Sequence, residues 1–129
     1  MVSVAVRDVT PADRAAWDRL WSDYCAHYGV SLPATDNDEL WRRIVGTEFA
    51  IGALIAVDSG ESKPVGFAHY VLHPHTFSTR LICYLEDLWV EPERRGGGVG
   101  QCLIDALIAR GRKRGWRRQR GGAVLICRP

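Results

Sequence analysis

Three apolar runs follow one another with little between them: AIGALIAVD (Ala50–Asp58), PVGFAHYVLH (Pro64–His73) and LICYLEDLWV (Leu81–Val90). Each has the length and the β-branched and aromatic content of a buried strand. Only the polar SGESK separates the first two, so they read as a hairpin. The third run ends in RRGGGVG (Arg94–Gly100), four glycines in five residues. Beyond it Val99, Cys102, Leu103, Ala106 and Leu107 recur at helical spacing, predicting an amphipathic helix from about Gly97 to Arg114. Strands this close in sequence must pair side by side, and a helix with one apolar stripe must lie on the sheet they form.

The N-terminal part completes the pattern. Residues 2–7 alternate and predict a strand. Thr10 is a good helix cap, Pro11 suits a first helical position, and Gly29 marks a helix end. Between them Trp17, Leu20, Trp21 and Tyr24 share one helical face. DNDELWRRIV predicts a second helix, with Asp36 as cap and Glu39 three residues on. The expected order is β-α-α-β-β-β-α, with one further short strand at 123–127. That is an α/β (α+β) fold with a mixed, mainly antiparallel sheet flanked by helices. It occupies one domain, residues 1–116, followed by a basic tail at 117–129.

Composition narrows the function classes. No apolar run approaches the ~18 residues of a membrane span. MVSVAVRDVTPADR has neither a basic start nor an apolar stretch of signal-peptide type. Cys25, Cys83, Cys102 and Cys127 are scattered, without metal-finger spacing, as suits a reducing compartment. A cytoplasmic protein without a membrane anchor or a structural metal is expected. The formal charge of +2 divides unevenly. Residues 1–109 hold 9 Lys/Arg against 15 Asp/Glu, whereas residues 110–129 hold 8 Lys/Arg and no acid.

A helix opening behind a glycine-rich turn offers free N–H groups and the positive end of its dipole, an anion site. Arg94 and Arg95 add charge and forked donors. The loop is not a Walker A loop, since Gly100 is followed by Gln101 and Cys102 rather than Lys and Ser/Thr. Nor is it a dinucleotide fingerprint, because Gln101 stands where the third glycine belongs.

The run Arg95-Gly-Gly-Gly98-Val-Gly100, preceded by LWVEPER, resembles the acetyl-CoA pyrophosphate loop of the GCN5-related N-acetyltransferases. YLEDLWV (Tyr84–Val90) resembles the corresponding strand of the diamine (spermidine/spermine) branch, and the likeness extends over residues 2–116. The resemblance implies acetyl-CoA as cosubstrate. Arg94, Arg95, Gly96, Gly97, Gly98, Val99, Gly100 and Gln101 would hold its pyrophosphate. The segment Leu88, Trp89, Val90 would run along its pantetheine arm, through the backbone of Leu88 and Val90. It implies N-acetylation of a small primary amine such as a polyamine, diamine or amino-acid side chain. An attacking amine must shed a proton, and a carboxylate within reach can take it. Glu86 matches the proton acceptor of the diamine branch and is the expected base. On a strand of period two it shares a face with Tyr84 and Leu88, while Asp87 points to the other face. Glu86 and Asp87 would also attract a cationic substrate, and Tyr24 and Tyr28 would border its pocket.

The same resemblance implies more chain after Trp116: an apolar strand, an Asn-bearing helix whose tyrosine protonates the leaving thiolate, and two more strands. RRQRGGAVLICRP supplies no such helix, Asn or Tyr, so a truncated or frame-shifted end is expected, and its open sheet edge allows a homodimer. His73 and His75 flank Pro74 without acidic or thiol partners and read as a loop rather than a metal site. Two further readings stand beside the enzyme: a non-catalytic member of the same fold that still binds coenzyme A, and a nucleic-acid binder using its Arg/Gly-rich tail. The acidic body opposes the second.

Overall fold

The computed structural model describes residues 3–117 and the backbone of residues 124–126. Strands β1 (Val4–Asp8), β2 (Ile51–Asp58), β3 (Lys63–His75) and β4 (Ser78–Val90) form an antiparallel sheet in chain order. A short β5 (Val124–Ile126) lies parallel to β4, opposite Cys83–Leu85. It falls within the strand expected at 123–127. Residues 118–123 and 127–129, most of the basic tail, lie outside the described residues.

Helices cover both faces. Leu54, Ala56, Ala68, Tyr70, Cys83 and Leu85 pack against Val99, Leu103 and Leu107 of α3 (Val99–Arg114). On the opposite face Ile55, Phe67 and Trp89 meet Leu20, Tyr24 and Cys25 of α1 (Arg14–His27). Ala53 joins Trp17 with Trp41 and Ile44 of α2 (Ala34–Val45). A sheet buried on both sides explains why β2 reads as a continuous apolar run rather than an alternating one. Each fully buried Leu or Phe contributes about 1.5–3 kcal/mol.

Several boundaries differ from the expectation. β1 begins at Val4. Pro11–Asp13 form a 3-10 turn before α1, in which the Thr10 N–H donates to Asp13 at 2.7 Å. Asp13 also takes two hydrogen bonds from Arg7, which ties β1 to the helix entry. α2 begins at Ala34, so Asp36 sits inside its first turn instead of capping it. The expected loop after Pro74 is mostly strand: β3 and β4 extend until only Thr76 and Phe77 turn the chain. Gly29 (φ +69°) ends α1 as anticipated.

The decisive irregularity is in β4. Tyr70 stands opposite Leu85 and His69 opposite Asp87, so Glu86 has no opposite number on β3. Such a bulge reverses the alternation of every residue beyond it, relative to plain counting. Leu85 and Leu88 both pack with the α3-side core, while Trp89 belongs to the α1-side core. Leu85 and Leu88 thus share a face, so the expected sharing of a face by Tyr84 and Leu88 is corrected: plain period-two counting fails across one inserted residue.

Candidate active site

The glycine turn joins β4 to α3 through a short 3-10 turn, Pro92–Arg94. Gly96 (φ +83°) and Gly98 (φ +91°) adopt left-handed backbone that other residues resist. The first helical bond runs from the Cys102 N–H to the Gly98 carbonyl at 3.0 Å. The amides of Val99, Gly100 and Gln101 thus precede the intrahelical ladder. Gly98 occupies the cap position and no side chain caps the helix.

This helix start lies over the end of β4. A Cβ on Gly100 would stand 3.8 Å from Val90 and 3.9 Å from Leu88. The Glu91 N–H donates to the Val65 carbonyl at 2.9 Å, and the Trp89 carbonyl faces Gly66, so residues 89 and 91 address β3. By the alternation of an antiparallel ladder, the backbone groups of Leu88 and Val90 face the other edge. Among the described residues β5 pairs with β4 only as far as Leu85, and no strand covers that edge beyond it.

The two arginines separate in role. Arg94 is held by Asp58, and its second nitrogen lies 3.6 Å from Glu61, which pins the glycine turn to the β2–β3 turn. The hydrogen bond to Asp58 raises the pKa of Arg94 above its usual value. Arg95 lies 4.5 Å over the Trp89 ring and donates through Nε to the Val90 carbonyl at 3.0 Å. Among the described residues no carboxylate pairs with it. The buried Trp89 indole N–H beneath it has no hydrogen-bond partner there either. These groups fit an anionic cosubstrate: uncapped amides, an arginine without a carboxylate, and an open strand edge.

The carboxylates also differ. Asp87 is 6% exposed and takes hydrogen bonds from the Tyr24 hydroxyl (2.7 Å, Oδ1) and from His69 Nδ1 (3.0 Å, Oδ2). His69 is 1% exposed, and its Nε2 accepts from the Trp17 indole at 2.9 Å. An indole N–H only donates, so Nε2 carries no proton and Nδ1–H points to Asp87. Glu86, at the bulge, is half-buried. Tyr24 stacks against Trp21 at 5.3 Å and adjoins Tyr28, which is 40% exposed.

Sequence reasoning singled out Glu86, Asp87, Tyr24 and Tyr28, and the structure gathers Tyr24 and Asp87 directly. It passed over His69 and Trp17. The available signal was an ionisable residue inside an apolar strand, AHY, one hairpin away from LEDL. His73 and His75 hold local bonds, to the Pro74 carbonyl (2.9 Å) and from the Phe77 N–H (3.0 Å). Among the described residues no group of three potential metal ligands occurs. Burial pushes the Cys83 thiol up to about 12, so it packs as an inert side chain. No helix among the described residues is long and apolar enough to cross a membrane.

The sheet, the bulged strand and the uncapped glycine turn set an anion-ready helix start beside an open strand edge, and comparison with known proteins gives this fold a family. The chain belongs to the acetyltransferase (GNAT) family, whose model matches residues 16–119. It is 27% identical over 107 residues to the D-amino-acid N-acetyltransferase HPA3 of Saccharomyces cerevisiae, covering 83% of this chain and 66% of that protein. It is 33% identical over 116 residues to an aminoglycoside N(6')-acetyltransferase type 1 of Stenotrophomonas maltophilia, covering 87% and 70%. Among solved structures, a ribosomal-protein-alanine N-acetyltransferase from Brucella melitensis biovar Abortus 2308 superposes with a TM-score of 0.79. That match, at 20% identity, covers 98% of this chain and 82% of the other. These relatives are named for D-amino acids, aminoglycosides and a protein alanine, rather than for diamines.

Proposed function

We propose that the protein transfers an acetyl group from acetyl-CoA to a primary amine of a small, cationic acceptor. The observation that carries this reading is the uncapped start of α3 behind Gly96 and Gly98, lying over the free edge of β4. The amides of Val99, Gly100 and Gln101 and the guanidinium of Arg95 would hold the diphosphate. The outward-facing groups of Leu88 and Val90 would line the extended arm, Val90 with its N–H, since Arg95 already occupies its carbonyl. Trp89 supports Arg95 from below, and Arg94 acts by fixing the turn.

Acetyl-CoA, when bound, supplies the acetyl thioester. Nitrogen attack on its carbonyl would place negative charge on oxygen, which an outward strand N–H next to the bulge would stabilise; collapse would break the C–S bond and release coenzyme A as a thiolate that takes its proton from water. An aliphatic ammonium has a pKa near ~10, so it must first lose a proton. Glu86 takes that proton in this reading, as the strand carboxylate that matches the diamine branch's proton acceptor, while Asp87 is buried with the Tyr24 hydroxyl and His69. Asp87, Tyr24 and Tyr28 then belong to the acceptor side. The names of the relatives support amino-acid-like and aminoglycoside amines, and Tyr84–Val90 supports a diamine, so all three belong in the substrate panel.

Calorimetric titration with acetyl-CoA should show binding that Arg95→Ala weakens about tenfold, the worth of one charge-assisted contact. A thiol-release assay over D-amino acids, aminoglycosides and polyamines should then reveal the acceptor. No heat on titrating the wild type refutes the cosubstrate. Heat without thiol release over the whole panel favours the non-catalytic reading.

A further inference from the structure

We propose that His69, in a tautomer dictated by Trp17, is a positioning residue for the acyl-transfer site: it holds Asp87, and through Asp87 the β4 bulge that carries Glu86. The proposal rests on the acetyltransferase reading above and adds residues which that reading does not use.

Aromatic rings surround the imidazole. Its ring lies 4.6 Å from Phe67 and 4.9 Å from Trp21, centroid to centroid, with Trp17 at 6.1 Å. An apolar aromatic case is a costly place for a polar ring unless both nitrogens are satisfied. Trp17 satisfies one nitrogen and Asp87 the other. The donor-only indole fixes the direction of both bonds, giving a one-way chain from Trp17 through His69 to Asp87.

The chain crosses three elements at one level. Trp17 and Tyr24 lie seven residues apart on α1, on one face, and His69 and Asp87 stand directly opposite each other on β3 and β4. The register slips at this pair and not elsewhere in the site. A bulge is free to migrate along a ladder unless side chains pin it, and a one-residue shift would turn Glu86 to another face. The bond from His69 is therefore placed where it decides which way Glu86 points. A purely apolar residue would fill the same volume and leave the register free.

Two substitutions separate positioning from packing. Asparagine at 69 places an N–H near the position of Nδ1 and keeps the bond to Asp87, losing Trp17. Glutamine reaches the position of Nε2 and keeps Trp17, losing Asp87. His69→Gln should lose about tenfold to a hundredfold in kcat, the worth of a hydrogen bond to a charged group, with acetyl-CoA affinity unchanged. His69→Asn should retain most of the activity, although both variants leave a similar void and unfold at similar temperatures. Nitrogen-15 NMR of the wild-type imidazole should show Nδ1 protonated and Nε2 bare. An Nε2–H tautomer overturns the proposal without any variant. Equal losses in the two variants, with an active wild type, overturn it alone. A wild type without turnover on any amine overturns it together with the acetyltransferase reading.

Discussion

Replacing Glu86 by glutamine keeps the size and polarity of the side chain and removes its capacity to take a proton. If Glu86 is the base, E86Q should lower kcat/KM by about a hundredfold to ten-thousandfold, the usual worth of a positioned proton acceptor. Acetyl-CoA affinity measured by calorimetry should not change. Undiminished turnover would move the role elsewhere. The pair Glu86-Asp87 was visible in the sequence, and the family resemblance already set Glu86 apart as the expected base. The bulge between them was not visible, since a single extra strand residue leaves no mark in composition or periodicity. For the same reason His69 looked like one more residue of an apolar strand, because its significance lies in the register that sets it against Asp87. Arg94 and Arg95 read as equivalent until the structure gave Arg94 to Asp58.

At the scale of elements, the strand–turn–helix passage from β4 to α3 carries the site, and its glycines are not alike. Gly98 is left-handed at φ +91°, and a methyl group added to it would meet nothing within 4 Å, so an alanine there suffers strain rather than a clash. Gly98→Ala should cost about 1–2 kcal/mol of stability, the left-handed penalty for a residue with a Cβ. It should also weaken acetyl-CoA binding as the turn relaxes. Gly100, whose backbone is not left-handed and whose added Cβ would stand at ordinary contact from Val90 (3.8 Å) and Leu88 (3.9 Å), should accept alanine with little change in melting temperature. Matched melting curves and titrations of the two variants would test this, and equal destabilisation would contradict it. Most elements were legible because each carries its own signal: a continuous apolar run for a strand buried on both faces, a glycine or proline at a boundary. The extension of β3 and β4 through Pro74–Arg80 was not legible, since that polar stretch has the composition of a loop and is held by pairing instead.

Across the whole molecule, two ion pairs among the described residues join the first strand to helices: Asp8 with Arg110 of α3, and Arg7 with Asp13 at the entry to α1. Arg7 donates twice to Asp13, at 2.7 and 3.0 Å, and the Thr10 N–H adds a third bond. The Arg7 bonds, foremost, bring the Asp13 carboxyl down to about 2. A group whose pKa falls on folding contributes stability that is complete above its unfolded value, near ~3.9, and disappears as the pH drops through its folded value. Because Arg7 is 48% exposed, solvent screening leaves this contribution at about 1 kcal/mol. Asp13→Asn should therefore lower stability at pH 7 and converge with the wild type near pH 2, as read by denaturant titrations across that range. A constant gap would contradict the linkage. The overall topology, a meander with helices on both sides, was legible from the order of apolar runs. The charge asymmetry was equally visible. Part of it has a local account: Arg112, Lys113 and Arg114 occupy the last turn of α3, where cations meet the negative end of the helix dipole.

Leu85 and Asp87 face consecutive residues of β3, so the strand would close up neatly if the residue between them were deleted. A chain lacking codon 86 would keep Leu85 and Leu88 toward α3 and Asp87 and Trp89 toward α1, and both oily linings would survive. Losing codon 88 instead would also let the bulge close and keep Trp89 opposite Phe67, but it would turn Asp87 toward α3, away from His69 and Tyr24. The scaffold is thus indifferent to the very acid on which proton removal rests in the reading above. The shortened chain would be a sound vessel for the thioester, unable to spend it.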